Sequence, residues 1–231
     1  MQLESPQEVQ AAVLDGHPVW IGPARLEDLD ALVDLHLDSF SKEEHFALQL
    51  GHPFIREAYG WLLTSPETKV LVARQEDRIL GFTAFCNGYY NVPMLLACRR
   101  TVTLGLLRRP WLALRPEWLM RLVHPPWALL KRLTSSVLGW APPPHRKVAQ
   151  IAFTALRPEA QGHGLGSALK QASIEVCRAW GAELVITGVR RDNHRARLLN
   201  ERAGFVEDPR QSTRRLIYLR LELKPPAANQ S

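Results

Sequence analysis

Cysteine is scarce: Cys86, Cys98 and Cys177 are odd in number and show no CxxC or Cys/His spacing. That argues against a disulfide framework or a thiolate metal site, and fits reduced thiols in a cytoplasm-like compartment. Long apolar runs are missing too, every one falling well short of the roughly 20 residues that a spanning helix needs. No basic-then-apolar signal segment opens the sequence, where Glu4 and Glu8 stand instead, so a cytoplasmic location is expected. Neither internal repeats nor low-complexity tracts occur, which excludes solenoids and compositionally biased arrays. Acids are short in one place. Between Asn91 and Lys147, Glu117 is the single acid against ten basic residues, so this segment carries +9 and the rest of the +6 chain carries −3.

What is present is an ordinary globular composition, 46% apolar and 23% charged over 231 residues. One large domain, or one with a substantial insertion, follows, with the first ten or so residues and the tail "KPPAANQS" expected to fray. The basic segment 91–147 reads as the insertion. It gathers Trp111, Trp118, Trp127 and Trp140 among several prolines. Its stretches "RPEWLMRLVH" and "PWALLKRLTSSVLG" open on a proline suited to a first helical turn and predict helices.

Periodicity orders the remainder. "HPVWIGPA" predicts a strand, and Leu29, Val33, Leu37 and Phe40 recur at helical spacing. A second helical stretch spans roughly 43–63, interrupted near Gly51 and Pro53. "TKVLVAR" and "RILGFTAFCNG" predict an antiparallel hairpin turned at "QED". After the insertion come the strand "VAQIAFTAL", a glycine loop, and a helix with Leu165, Leu169, Ala172, Val176 and Trp180 on one face, stopped at Gly181. The strand "ELVITGV", a helix capped by Asn193 and ended by Gly204, and the strand "TRRLIYLRLEL" follow. The order is β-α-α-β-β-(insert)-β-α-β-α-β, a mixed α/β layout.

The glycine loop carries the chemistry. In "RPEAQGHGLGSALK", Gly162, Gly164 and Gly166 precede a helix, where unsatisfied N–H groups and the helix dipole favour a phosphate. A Walker loop needs Lys-Ser/Thr after its last glycine, and Ser167-Ala168 stand there instead. A dinucleotide fingerprint fails because the third glycine comes one position early and Glu183 begins, rather than ends, the next strand.

The run Gln161-Gly162-His163-Gly164-Leu165-Gly166 resembles the acyl-CoA pyrophosphate loop, Q/R-x-x-G-x-G/A, of the GNAT N-acetyltransferase superfamily. Asn193-x-x-Ala196 followed by Glu201-Arg202-Ala203-Gly204-Phe205 resembles the family's later "N-x-x-A … E-[KR]-x-G-F" segment and begins 27 positions after Gly166. The resemblance is close over Val148–Leu223, looser over Trp20–Gly88, and does not extend to the insertion. It implies a mixed, largely antiparallel central sheet flanked by helices, forming a single domain over 1–231, with the helical insertion 91–147 between the third and fourth of the strands named above. It implies acetyl-CoA as cosubstrate. The N–H groups from Gln161 to Ser167 (Gly162, His163, Gly164, Leu165 and Gly166 between them) would hold the two phosphates. The backbone of Ala155, Leu156 and Arg157, where neighbouring strands would splay apart, would hold the pantetheine arm. Asn193 and Asn200 would complete the cofactor site.

Two positions depart from the family's catalytic pattern. Gln150 stands where histone-type members carry a glutamate base on the same strand, and an amide takes no proton, so a lysine acceptor with its pKa near 10.4 is disfavoured. Asn200 stands seven residues after Asn193, where many relatives have a tyrosine that protonates the leaving thiolate. Glu43, Glu44 or His45 acting through water is the alternative base, and Tyr89 and Tyr90 are candidates to line the acceptor site. No catalytic residue is therefore assigned from sequence.

The expected reaction is acetyl transfer to the primary amine of a small anionic acceptor. The stretch "DSFSKEEHFALQLGHPFIREAYGWLL" resembles a segment of bacterial GNAT proteins of surface-polysaccharide pathways, which suggests a nucleotide-linked amino sugar. The alternatives are a protein or peptide amine acceptor, and a degenerate fold that senses CoA or lies on a membrane. For the insertion, the readings are an anionic-acceptor cleft, peripheral contact with acidic lipids, or packing on the core or a second subunit in a homodimer. No nucleic-acid motif accompanies the charge.

Overall fold

The computed structural model describes residues 8–40, 46–112 and 146–223. Their strands form one sheet in the order β1-β2-β3-β4-β5-β6-β8-β7. The strands are β1 (Val9–Leu14), β2 (His17–Pro23), β3 (Thr68–Gln75), β4 (Arg78–Asn87), β5 (Val148–Leu156), β6 (Leu184–Arg190), β7 (Val206–Glu207) and β8 (Leu216–Glu222). Every neighbouring pair is antiparallel except β5 and β6, so the mixed, largely antiparallel sheet expected from the resemblance is present.

The fraying expected over the first ten residues is corrected for Val9 and Gln10, which pair with Ile21 and Trp20. The cause is a tight hairpin: Asp15 and Gly16 both adopt positive φ, 51° and 81°, the combination that a two-residue turn needs to match strand twist.

Helices cover both faces. On one side lie α1 (Leu29–Ser39), α2 (His52–Thr64), α3 (Asn91–Ala97) and α4 (Arg99–Arg108), over a core that includes Leu32, Phe54, Tyr59 and Phe82. On the other lies α5 (Leu165–Ala179), over a core that includes Phe85, Leu169, Cys177 and Val185. The helix α6 (His194–Arg202) is capped as expected, with Asn193 Oδ1 accepting from the Ala196 N–H at 3.0 Å. Among the described helices none is long and apolar enough to cross a membrane.

The stripe on α5 is rotated from the expected one. Leu165 and Leu169 are buried, but the burial continues through Lys170, Ser173, Ile174 and Cys177, while Ala172, Val176 and Trp180 sit at its margin. Both faces of the helix's inner half meet protein, because α6 and the Phe205 turn close over the flank that carries Lys170.

The insertion leaves the sheet at Asn87 and returns at Val148, neighbours across the β4–β5 pair and at the opposite end from the Gly81–Leu156 pairing. Its described opening packs down: Met94, Cys98 and Leu112 join the α1/α2 core, and Arg109 donates to the Gln49 carbonyl at 2.7 Å. Arg146 belongs to the sheet's surface, bonded to Glu222. The two expected helices, together with Arg115, Arg121 and three of the four tryptophans, lie outside the described residues, as do Glu43, Glu44 and His45.

Candidate active site

Strand β5 pairs with β4 along its whole length but with β6 only from Val148–Leu184 to Ile151–Thr187. Beyond that point the strands part. The Thr187 hydroxyl donates to the Ile151 carbonyl at 3.2 Å and marks the fork. A cleft of about 1300 Å³ opens there. It runs from Phe40, Ile151 and Phe153 past Thr154 and Leu156 to the glycine loop, with Asn200 and Leu199 of α6 on its other wall. Among the residues lining it, Arg157, Lys170, Arg190, Arg195 and Arg202 are basic and Asp38 is the single acid, which favours an anionic occupant.

The loop is shaped by its backbone. Gly162 and Gly164 hold φ of 87° and 79°, with open space where a Cβ would stand. Left-handed φ at both curls the chain onto α5, which Gly164 caps. The first α-helical bond is Ala168 N–H to Gly164 C=O at 3.0 Å, so the N–H groups of Leu165, Gly166 and Ser167 have no α-helical partner at the cleft's mouth. Gly166 differs. A Cβ there would stand 3.1 Å from Leu156 and 3.6 Å from Leu199, so its role is close packing of helix on strand.

Of the residues expected from sequence, Ala155, Leu156, Arg157, Gln161, Gly162, Gly164, Gly166, Ser167, Asn193 and Asn200 all line the one cleft, while Leu165 is buried beneath the sheet and His163 is exposed outside the lining. The Arg157 N–H donates to Leu80 of β4 at 2.8 Å. Alternation then turns the backbone of Ala155 to β4 and that of Thr154 and Leu156 into the gap. Of the expected trio, Leu156 therefore turns its backbone N–H and C=O to the gap, as Thr154 does. The Leu156 carbonyl accepts from Gln161 Nε2 at 3.3 Å, and Arg195 clasps Gln161 Oε1 at 2.8 Å.

Gln150, 7% exposed, accepts from the Tyr90 N–H through Oε1 at 3.4 Å. Tyr90 leans edge-on against Phe153 with ring centroids 5.6 Å apart, whereas Tyr89 is 61% exposed. Beneath them the Tyr59 hydroxyl meets His36 Nδ1 at 2.8 Å, and burial holds the Tyr59 phenol well above its ordinary range. Asn200 donates through Nδ2 to the Ala196 carbonyl at 2.7 Å, while its Oδ1, buried, has no partner among the described residues.

Sequence reasoning missed three lining groups: Thr187 at the fork, Arg195 over the loop, and Lys170, one turn into α5 and 2% exposed. For Lys170 the available signal was Ile174 and Cys177, apolar partners at i+4 and i+7.

An α/β sheet that forks between two parallel strands, with a glycine-capped helix N-terminus at the mouth of the fork, defines the fold of acyl-CoA-dependent acetyltransferases. The family model described as "Acetyltransferase (GNAT) family" matches residues 29–205. The chain belongs to that family. It is similar to the GNAT domain of S. lividans PAT, at 14% identity and a TM-score of 0.58 over 95% of this chain and 100% of that one. It is similar also to PaiA N-acetyltransferase from Thermoplasma acidophilum in complex with coenzyme A, at 11% identity and 0.54 over 89% and 99%. A mycothiol acetyltransferase of Beutenbergia cavernae is 39% identical over 67 residues, 29% of this chain and 23% of that relative. The match therefore spans less than a quarter of the curated relative's length.

Proposed function

We propose that the chain transfers an acetyl group from acetyl-CoA to the primary amine of a small anionic acceptor whose own pKa lies near neutrality, such as a nucleotide-linked amino sugar. Acetyl-CoA supplies the activated thioester. The residues fit it: the N–H groups of the Gln161–Ser167 loop suit the pyrophosphate, and the edge of β5 at Thr154 and Leu156 suits the two amides of the pantetheine arm. Asn193 orders α6, whose residue Arg195 braces the loop. Three buried free thiols fit a reducing, cytoplasm-like compartment.

The observation that carries the acceptor class is Gln150. It lies on β5 across from Cys86 on β4 and next to the last β5–β6 pair, its oxygen engaged by the Tyr90 N–H. Burial pushes the Cys86 thiol up to about 12, so that side chain is no base either. An amine that is already neutral needs none. At pH 7 an ordinary lysine amine is neutral in about one molecule in a thousand or fewer. The basic insertion supports an anionic acceptor, and the Beutenbergia relative is named for mycothiol rather than for a protein.

The test is the pH–rate profile across a panel of amines. kcat/KM should rise with each amine's own titration, and lysine peptides should lag low-pKa amines by about a thousand-fold at pH 7. Gln150→Glu should raise the lysine rate selectively. If lysine peptides are the best substrates of the unaltered protein, a peptide acceptor replaces this reading.

A further inference from the structure

We propose that the outward face of α3 and α4, with Trp111 beyond them, docks on the surface of an anionic lipid bilayer, the helices lying in the plane of the headgroups. Such docking depends on neither the acceptor's identity nor the cofactor placement.

The two helices run nearly as one rod. The Cys98 N–H donates to the Met94 carbonyl at 2.9 Å and the Val102 N–H to the Cys98 carbonyl at 3.0 Å, so helical spacing carries through the junction. At about 100° per residue, Met94, Cys98 and Gly105 share one face, and all three are buried. Leu96 and Leu107 fall about half a turn away and are 63% and 72% exposed. Arg99 and Arg100 flank them on this outward side, and Leu104, Arg108 and Trp111 extend it, all of them exposed. An ordinary surface helix centres polar side chains on its outer face, whereas this one centres leucine. Of the thirteen large apolar side chains that are exposed among the described residues, six fall within 89–111. They make a patch, not the single scattered side chains of any protein surface.

Charge selects the occupant. Across 89–112 there are four arginines and no acid. Arg109 is held by the Gln49 carbonyl, while Arg99, Arg100 and Arg108 have no carboxylate partner among the described residues. A two-fold contact with a second copy would put the same patch on both sides and set arginine against arginine. A neutral protein groove would strip the guanidinium groups of water and offer no anion in return. An anionic bilayer answers both halves of the patch: its phosphates take the arginines, and the boundary between headgroups and acyl chains takes leucine and tryptophan. The contact is peripheral, since among the described residues no helix is long and apolar enough to cross a membrane. α3 begins at Asn91, shortly after β4 ends at Asn87, so docking would turn the end of the sheet remote from the glycine loop toward the lipid.

Co-sedimentation with vesicles of mixed phosphatidylglycerol and phosphatidylcholine tests the contact. The unaltered protein should pellet with these and not with phosphatidylcholine alone; absence of binding to the anionic vesicles, or equal binding to the neutral ones, overturns the proposal. Leu96→Gln/Leu107→Gln keeps every charge and should lower the vesicle partition coefficient at least about ten-fold, with circular dichroism and melting temperature unchanged. Full binding by this variant would reduce the effect to the general attraction of a +6 chain and overturn the proposal. A clear fall in its melting temperature would do the same, because the leucines would then be packed against protein. So would a dimer of the unaltered protein that the variant disperses, with no vesicle binding. The face itself is read by an environment-sensitive fluorophore on Leu107→Cys, the native Cys86, Cys98 and Cys177 being buried. Its emission should shift to the blue on anionic vesicles. Unshifted emission from vesicle-bound protein overturns the assignment, and this readout decides alone should the double variant not fold.

Discussion

Buried charge is treated in two opposite ways in this molecule. Asp28, buried at the foot of α1, is clamped through both oxygens by Arg74 at 2.8 and 2.7 Å and receives the Arg25 N–H at 2.7 Å. That is what a structural buried ion requires. Lys170 has none of it, and the cost is testable as stability. Its pKa is about 8 in the fold against 10.5 for ordinary lysine, so below about pH 8 both folded and unfolded chains carry the charge and the full desolvation cost, about 3 kcal/mol, is present. Between about 8 and 10.5 the unfolded chain binds more protons than the folded one, so this term makes stability rise with pH. Lys170→Met is therefore expected to be about 3 kcal/mol more stable than the unaltered protein at pH 7, with the difference shrinking to nothing above about pH 10.5. Urea unfolding across that range reads it directly, and a gain independent of pH would mean that the charge is not what the substitution relieves.

At the scale of elements, the strand–loop–helix unit β5 to α5 divides its glycines by task. Gly164 has room for a Cβ, but its φ of 79° resists a branched side chain. Gly164→Val should thus reshape the loop rather than plug it, and leave the sheet and core intact. Reshaping would turn about two charge-assisted N–H donors away from the phosphates, and CoA affinity is expected to fall about 100-fold. Calorimetry on a protein of unchanged circular dichroism checks this, and unchanged affinity would remove the loop from the cofactor site. This unit was legible in the sequence because glycine and proline dictate backbone angles locally. The hairpin at Asp15-Gly16 was equally legible and was missed, since "VQAAVL" buries only Leu14 fully and shows little alternation. The fork between β5 and β6 was expected from the resemblance alone: no local residue pattern says where parallel pairing stops. Lys170 escaped for a related reason. Counting apolar side chains along α5 fixes a stripe, but Phe205, 35 residues later, is what closes over its polar flank.

Over the whole molecule, charge and topology converge on the end of the sheet opposite the glycine loop. The insertion departs and returns there, and α3 and α4 are fastened to α2 by Met94 and Cys98, with Gly105 pressed so close to Leu50 that a Cβ would meet it at 2.9 Å. Arg109 is used in this fastening, through Gln49; Arg99, Arg100 and Arg108 are exposed. Neutralising Arg109 would therefore confuse anchoring with recognition, and the informative pair is Arg99 and Arg100 at the start of α4. If the acceptor approaches from this end, Arg99→Gln/Arg100→Gln should raise KM for an anionic acceptor several-fold and leave KM for acetyl-CoA within about two-fold, because the loop proposed for the cofactor's phosphates lies at the other end of the cleft. Exposed charges are screened over about 10 Å at 0.1 M salt, so the effect should fade as ionic strength rises. Contact with a membrane predicts a different pattern: binding to anionic but not neutral vesicles, abolished in the same pair, with soluble-acceptor kinetics untouched. Packing alone predicts neither, because both side chains are exposed on a helix whose buried residue is Gly105, with buried Cys98 before it and Leu112 after it. Unchanged acceptor KM at low salt would separate the charge of α4 from the acceptor site and leave the cleft's own arginines as the source of its selectivity.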